Sequence, residues 1–362
     1  MTDAERILPG SRVPLGKLPK ISLHDHLDGS LRLDTVLELS QNAPADSVEG
    51  LRTWINERSL SGNLVEYLES FSLTGAVMQT AENLERVARE YVLDLAADGI
   101  VYAEVRWAPE LSPALPLEAA VEAISSGLRA GERATGITVR QILIGMRQGD
   151  RVPEIAQLAL DLRETDVVAF DLAGPEAGYP PSLFAPTLKR LQAEWMPVTI
   201  HAGEADGLDS IASALTDGRA LRLGHGVRII DDVQLIDGQP VLGRLAEWVR
   251  DRRIPLETSP TSNFHTAAFV GDSMRDHPFA VLDRAGFTVT INTDNRLMSD
   301  TTLSAELETL SDAFGFTLAD HERFQLNAAQ AAFLPQKERE ILQQRISASF
   351  ASAGLPSGHV PD

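Results

Sequence analysis

A chain of 362 residues with 43% hydrophobic and 6% aromatic content has enough apolar material for one large α/β core or two smaller ones. Its 32 Lys and Arg against 52 Asp and Glu give a formal net charge of -20, which repels phosphate backbones and anionic lipid and argues against nucleic acid or a membrane as partner. The absence of cysteine removes any disulfide framework, thiolate metal site or cysteine nucleophile, and a neutral or cationic small molecule is the expected substrate.

The opening residues, Met1-Thr-Asp-Ala-Glu-Arg-Ile-Leu, lack the basic and apolar regions of a secretory signal. No apolar run is long enough for a bilayer span, and a cytoplasmic protein is expected. Residues 1–18 read as an irregular lead-in, broken by Pro9-Gly10 and Pro14. Residues 20–26 read as a first strand and 33–40 as a helix. The mixed stretch 51–80 reads as short helices, an insertion well placed to cover a pocket as a lid. The apolar spacing of Leu84, Val87, Ala88, Tyr91, Val92 and Leu95 predicts a helix over 80–98. Strands are then expected at 99–107, 138–147, 167–174, 197–204, 222–227, 254–259 and 288–294. Helices are expected between them at 117–130, 153–164, 182–195, 208–216, 239–250 and 278–285. Helices at 302–314, 319–332 and 336–349 complete a single domain over 19–350, and the Gly/Pro/Ser-rich tail, 351–362, reads as disordered.

Strand alternating with helix implies a parallel sheet, and a count of eight points to a closed (β/α)8 TIM barrel with extra helices. An open doubly wound sheet is the competitor, but no Gly-x-Gly-x-x-Gly turn follows the first strand and no Walker loop occurs.

A barrel of this kind carries its active site at the C-terminal strand ends. The polar residues expected there are His24, His26 and Asp28 from strand one, Asp171 and Gly174 from strand four, and His201 and Glu204 from strand five. Strand six supplies His225, and strand eight supplies Asp294 and Asn295. His24 and His26 stand at i and i+2, so a strand aims both imidazoles to one side, as a two-ligand clip for a metal such as zinc. Four of the eight histidines fall at predicted strand ends. One such residue is ordinarily a hydrogen-bonded core histidine; four converging with a carboxylate describe a metal centre.

The runs Leu-His-Asp-His-Leu-Asp-Gly-Ser (23–30), Asp-Leu-Ala-Gly (171–174), His-Ala-Gly-Glu (201–204), Gly-His-Gly (224–226) and Asn-Thr-Asp (292–294) stand in one family's order and at about its spacing. From about residue 19 to 350 the chain resembles the adenosine deaminases of the zinc-dependent metal-hydrolase superfamily. The unrelated cytidine-deaminase type, with its Cys-x-x-Cys zinc site, is excluded by the missing cysteines.

That resemblance implies one Zn2+ per chain on His24, His26, His201 and Asp294, with a further position open for water. It implies that His225 orients this water, that Asp294 also accepts a hydrogen bond from it, and that Glu204 donates a proton to purine N1. It makes the Gly174 backbone N–H a donor to purine N3, Asp28 a ligand of a ribose hydroxyl, and Tyr67 and Phe71 lid aromatics over the sugar. Glu110 and Glu176 are the expected solvated strand-end glutamates. The chain departs from the family at Asn295, where a second acidic residue is common; an amide donates to purine N7 without having to be protonated. The activity implied is hydrolytic deamination of adenosine and 2′-deoxyadenosine to inosine and 2′-deoxyinosine, with a purine nucleoside as the small-molecule partner. The rivals are a deaminase of adenine or of a modified adenine nucleoside, and a non-catalytic nucleoside-binding homologue.

Overall fold

A computed structural model describes residues 6–9, 13–60 and 64–353, the stretch 64–69 by its backbone alone. The Tyr67 side chain and most of the expected disordered tail therefore lie outside what the structure describes.

Eight parallel strands form one sheet. They are β1 (Lys20–His26), β2 (Ile100–Trp107), β3 (Thr138–Met146), β4 (Val167–Ala173), β5 (Val198–Ala202) and β6 (Arg222–His225); after a two-stranded antiparallel ribbon, β7 (Val233–Ile236) and β8 (Gln239–Leu242), come β9 (Leu256–Thr258) and β10 (Val289–Ile291). The sheet order is β1-β2-β3-β4-β5-β6-β9-β10, the sequential order expected of a (β/α)8 barrel. Beyond the last strand the ring meets itself. Asp25 and Asp294 form a parallel bridge, the His26 N–H donates to Asp294 O at 2.6 Å, and the Asp294 N–H donates to His24 O at 3.0 Å. Asn292 completes this seam with its side chain, whose Oδ1 accepts from the Leu23 N–H (2.8 Å) and the His24 N–H (3.2 Å).

The helices follow the apolar spacing of the sequence. Ala81–Ala97 starts at Thr80, whose side chain accepts from the Asn83 N–H, and buries Leu84, Val87, Ala88, Tyr91, Val92 and Leu95 against the barrel; each such Leu or Val contributes about 1.5–3 kcal/mol. The 51–80 stretch is helical, as two helices, Val48–Ser59 and Leu64–Val77, which bury Leu51, Ile55, Leu73 and Val77. Among the described residues no helix is long and apolar enough to cross a membrane.

Two expectations are corrected. The helix expected at 239–250 begins only at Arg244, because residues 233–242 form the β7–β8 ribbon around Asp237-Gly238. Both turn residues have positive φ, 51° at Asp237 and 75° at Gly238, the geometry of a tight hairpin. Nor is the lead-in merely irregular. It includes a short 3-10 turn, Leu15–Lys17, and an Ile7–Pro14 bridge, and it buries Leu8, Leu15 and Leu18 in the core.

The barrel interior holds charge as well as apolar side chains. Successive same-side residues of β2, Glu104 and Arg106, point inward and are fully buried. Arg106 donates to Asp171 (2.8 Å), to Glu257 (2.7 Å) and to the Leu23 carbonyl (2.7 Å). Arg222 donates to Glu257 (2.5 Å) and Glu104 (2.6 Å). Every charge has a partner, so the desolvation cost is offset only while the set is complete. Arg106→Met is expected to lower stability by about 3–5 kcal/mol, since it leaves buried carboxylates uncompensated; an unchanged denaturant midpoint would show that the network carries no such weight.

Candidate metal and active site

His24 and His26 leave β1 on one side, His201 ends β5, and Asp294 follows β10. Their ligand atoms lie within 4.8 Å of one another. His26 Nε2 is 3.2 Å from His201 Nε2. Asp294 Oδ1 is 3.2 Å from His24 Nε2 and 3.3 Å from His26 Nε2.

Hydrogen bonds to the far side of two rings fix what these atoms present. His24 Nδ1 is 2.9 Å from Glu257 Oε2, a carboxylate held well below its ordinary pKa because Arg106 and Arg222 outweigh the burial that would raise it. Such an oxygen only accepts, so His24 donates from Nδ1 and turns the Nε2 lone pair inward. His201 Nδ1 makes the same contact with Asp171, at 3.0 Å, and Asp171 is likewise held low, by His201 and Arg106 against the effect of burial. Burial pushes His24 down to about 4, so its ring is neutral. The Nε2 lone pair of neutral His24 thus faces a carboxylate oxygen with no proton between them, and His24 Nε2 has no hydrogen-bond partner among the described residues. That repulsion is relieved by a cation, and three nitrogens with one oxygen suit zinc.

The same strand ends gather the other polar groups. His225 Nε2 lies 3.4 Å from Glu204 Oε2. Gly224 leaves room for the two histidines beside it: a Cβ there would stand 3.0 Å from His201 Cα and 3.2 Å from His24 Cε1. His225 and Asp294 both have positive φ, 62° and 60°, a strained conformation for residues with a side chain, costing about 1–3 kcal/mol each and typical of functional positions. Burial raises Glu204 above the ordinary carboxyl range, and Thr266 donates to its Oε1 at 2.9 Å. Ser262 donates to Asp294 Oδ2 at 2.6 Å.

Asp28 faces a cavity lined also by Phe71, Met78, Trp107, Leu111 and Ser112. Burial, reinforced by the nearby Asp294 charge, lifts its carboxyl to about 6. Asn295 is buried against Gly29, where a Cβ would come within 2.1 Å of Asn295 Oδ1. Gly174 has φ 98°, and a Cβ there would meet Gln148 Oε1 at 2.4 Å, so only glycine fits at this strand end.

Glu176 is not solvated. It is buried and accepts from the Gly203, Glu204 and Ala205 N–H groups, each at 2.9 Å, and from Ser210 Oγ at 2.7 Å. It is the anchor that holds the turn carrying Glu204. Glu110 is half-buried and accepts from the Met146 N–H at 2.9 Å.

Sequence reasoning missed Glu257 and Arg106, the groups behind His24. It also missed a short helix, Pro260–His265, which brings Ser262 and Asn263 into the site. The signal was present: Pro260 directly after a strand end is a favoured first helical residue.

The family model described as Adenosine deaminase matches residues 19–349. An Adenosine deaminase of Mycobacterium sp. (strain JLS) is 50% identical over 341 residues, which are 91% of this chain and 94% of that protein. Adenosine deaminase 1 of Streptomyces coelicolor is 50% identical over 336 residues, 89% of this chain and 84% of its own. Among solved structures, Arabidopsis ADAL complexed with IMP matches with a TM-score of 0.80 at 26% identity, over 94% of this chain and 99% of that one. With its strand ends arranged as above and its relatives matching almost end to end, the chain belongs to the adenosine deaminase family.

Proposed function

We propose that a single domain over residues 19–350 catalyses hydrolytic deamination of adenosine and 2′-deoxyadenosine, giving inosine or 2′-deoxyinosine and ammonia. The observation that carries this reading is the convergence of His24, His26, His201 and Asp294 on one point, directly beside Glu204 and His225. These four residues would hold one zinc ion. When bound, zinc supplies Lewis acidity that brings the pKa of water toward neutrality and so provides a nucleophile.

The chain's own residues do the rest. Asp294 accepts a hydrogen bond from the attacking water, and His225 orients it. Glu204, whose pKa burial raises, delivers a proton to purine N1 as the oxygen adds to C6. Addition at C6 pushes the ring electrons onto N1, and protonation there neutralises them. The amine then leaves C6 as ammonia with one of the two protons of the water, the other restores Glu204, and C6 keeps the oxygen as a carbonyl. The Gly174 backbone N–H binds N3, and Asp28 binds a ribose hydroxyl in the cavity it shares with Phe71.

The cavity lining supports a nucleoside rather than a nucleotide, because a carboxylate faces it and no lysine or arginine is among its lining residues. Tyr67 is assigned with Phe71 to the lid on sequence grounds. A cytoplasmic location goes with this reading, since a chain with no cysteine needs no oxidising compartment. The test is a substrate panel of adenosine, 2′-deoxyadenosine, adenine and AMP, followed by loss of ultraviolet absorbance and by ammonia release. Preference for adenine or AMP over both nucleosides overturns the assignment.

Asn295 gives a sharper prediction. Purine N7 only accepts, and the buried Asn295 amide is a donor at any pH. Replacing N7 by C–H, as in 7-deazaadenosine, removes a hydrogen bond worth about 1–3 kcal/mol, so kcat/KM should fall roughly 10- to 100-fold. Equal kcat/KM for adenosine and its 7-deaza analogue would remove Asn295 from the substrate site.

A further inference from the structure

A run of hydrogen bonds behind His225 has only one possible direction. It starts from a group that can only donate, the Phe279 backbone N–H, which is 3.0 Å from His277 Nδ1. His277 Nδ1 therefore accepts and carries no proton. Burial lowers the His277 pKa to about 3, so the ring is neutral and its single proton sits on Nε2. That nitrogen is 3.4 Å from Asn263 Oδ1. The amide orientation is fixed independently, because the Ser259 N–H donates to the same Oδ1 at 3.2 Å. Asn263 Nδ2 is consequently the end that faces His225 Nδ1, at 3.0 Å. An amide N–H2 can only donate, so His225 Nδ1 accepts and the His225 proton sits on Nε2. All three side chains are buried, and water does not compete for these bonds.

We propose that Asn263 and His277 are positioning residues that hold His225 as the Nε2–H tautomer, so that His225 donates a hydrogen bond into the reacting centre rather than taking a proton from it. The geometry is opposite to that of His24 and His201, whose Nδ1–H groups point outward to carboxylates and whose Nε2 lone pairs point inward. One strand-end layer thus presents lone pairs to a cation and, from β6, a donor to the oxygen that attacks. The inference rests on the proposed deaminase reading only in placing His225 beside that oxygen. A donor there stabilises negative charge developing on the oxygen, the role for which a prealigned hydrogen bond is most effective.

The test uses zinc-loaded enzyme with 15N-labelled histidine rings, His225 being assigned by difference against His225→Gln. The wild-type spectrum should show His225 with Nε2 protonated and Nδ1 bare. In Asn263→Asp the carboxylate can only accept, so the two should exchange. kcat should then fall by about 10²-fold or more, with KM within a few-fold and metal content unchanged. His277→Gln keeps a donor opposite Asn263 Oδ1 and should retain both the tautomer and kcat within a few-fold, whereas His277→Leu removes that donor and should lower kcat with metal content unchanged; if Asn263→Asp fails to fold, the wild-type spectrum and this pair decide the matter. A bare Nε2 on His225 in the wild type overturns the proposal. So does an exchanged tautomer with kcat intact, or a loss confined to KM. The tautomer is read without substrate, so failure of the adenosine assignment leaves that result standing, while a wrong tautomer overturns the inference with adenosine turnover intact.

Discussion

His24→Ala is expected to leave a folded protein that binds no zinc and turns over no adenosine. The substitution deletes one nitrogen of the four-atom set within which Asp294 Oδ1 and His26 Nε2 already lie 3.3 Å apart, and three ligands cannot complete a closed side of the site. The fold should persist, because Glu257 keeps Arg106 at 2.7 Å and Arg222 at 2.5 Å after the imidazole is gone. Metal analysis separates this loss from unfolding, which circular dichroism reports. Glu257→Gln is the graded companion: it weakens the orientation of His24 without removing a ligand, and should cost about 10- to 100-fold in zinc affinity, measured by chelator competition. Full turnover after exhaustive chelation would sink the zinc assignment outright.

Glu204→Gln should retain zinc and lose at least ~10²-fold in turnover. The amide preserves size and can still accept from Thr266, which now donates to Glu204 Oε1 at 2.9 Å, but it has no acidic proton to give purine N1. Burial raises the pKa of the native carboxyl, which favours its acid form, and the loss should be expressed in kcat rather than in KM. Near-normal turnover in the Gln variant would move the acid role to another group, and Asp28, lifted to about 6, would be the next to test.

The eight barrel strands and the strand-end positions of the candidate ligands were legible because each depends on local pattern. The apolar blocks at 99–107 and 167–174 are strands wherever they pair, and a barrel strand has one functional end, so His24, His201, His225 and Asp294 could be placed without contacts. The residues behind them were not legible for the converse reason. Arg106 and Glu257 are charges inside strands, and nothing local says that they meet each other across the barrel together with Asp171. Glu176 looked like any loop carboxylate until the turn at 203–205 was seen to fold its amides around it. The β7–β8 ribbon was hidden by its length: Val241, Leu242, Leu245 and Val249 suit a helix, while the Asp237-Gly238 pair that marks the hairpin was outweighed by that spacing.

The barrel seam makes the first and last barrel strands interdependent. His24 and His26 leave the first strand, while Asp294 follows the last, and the backbone bonds joining them are the same ones that close the ring. Nearly the whole domain must therefore be synthesised before its earliest ligands meet their final partner. On the zinc assignment, the ion acts as a clasp between two distant parts of the polypeptide, and its binding energy adds to the stability of the closed ring alone. A nascent chain holds at most the histidines, so the pocket comes into being last and as a unit.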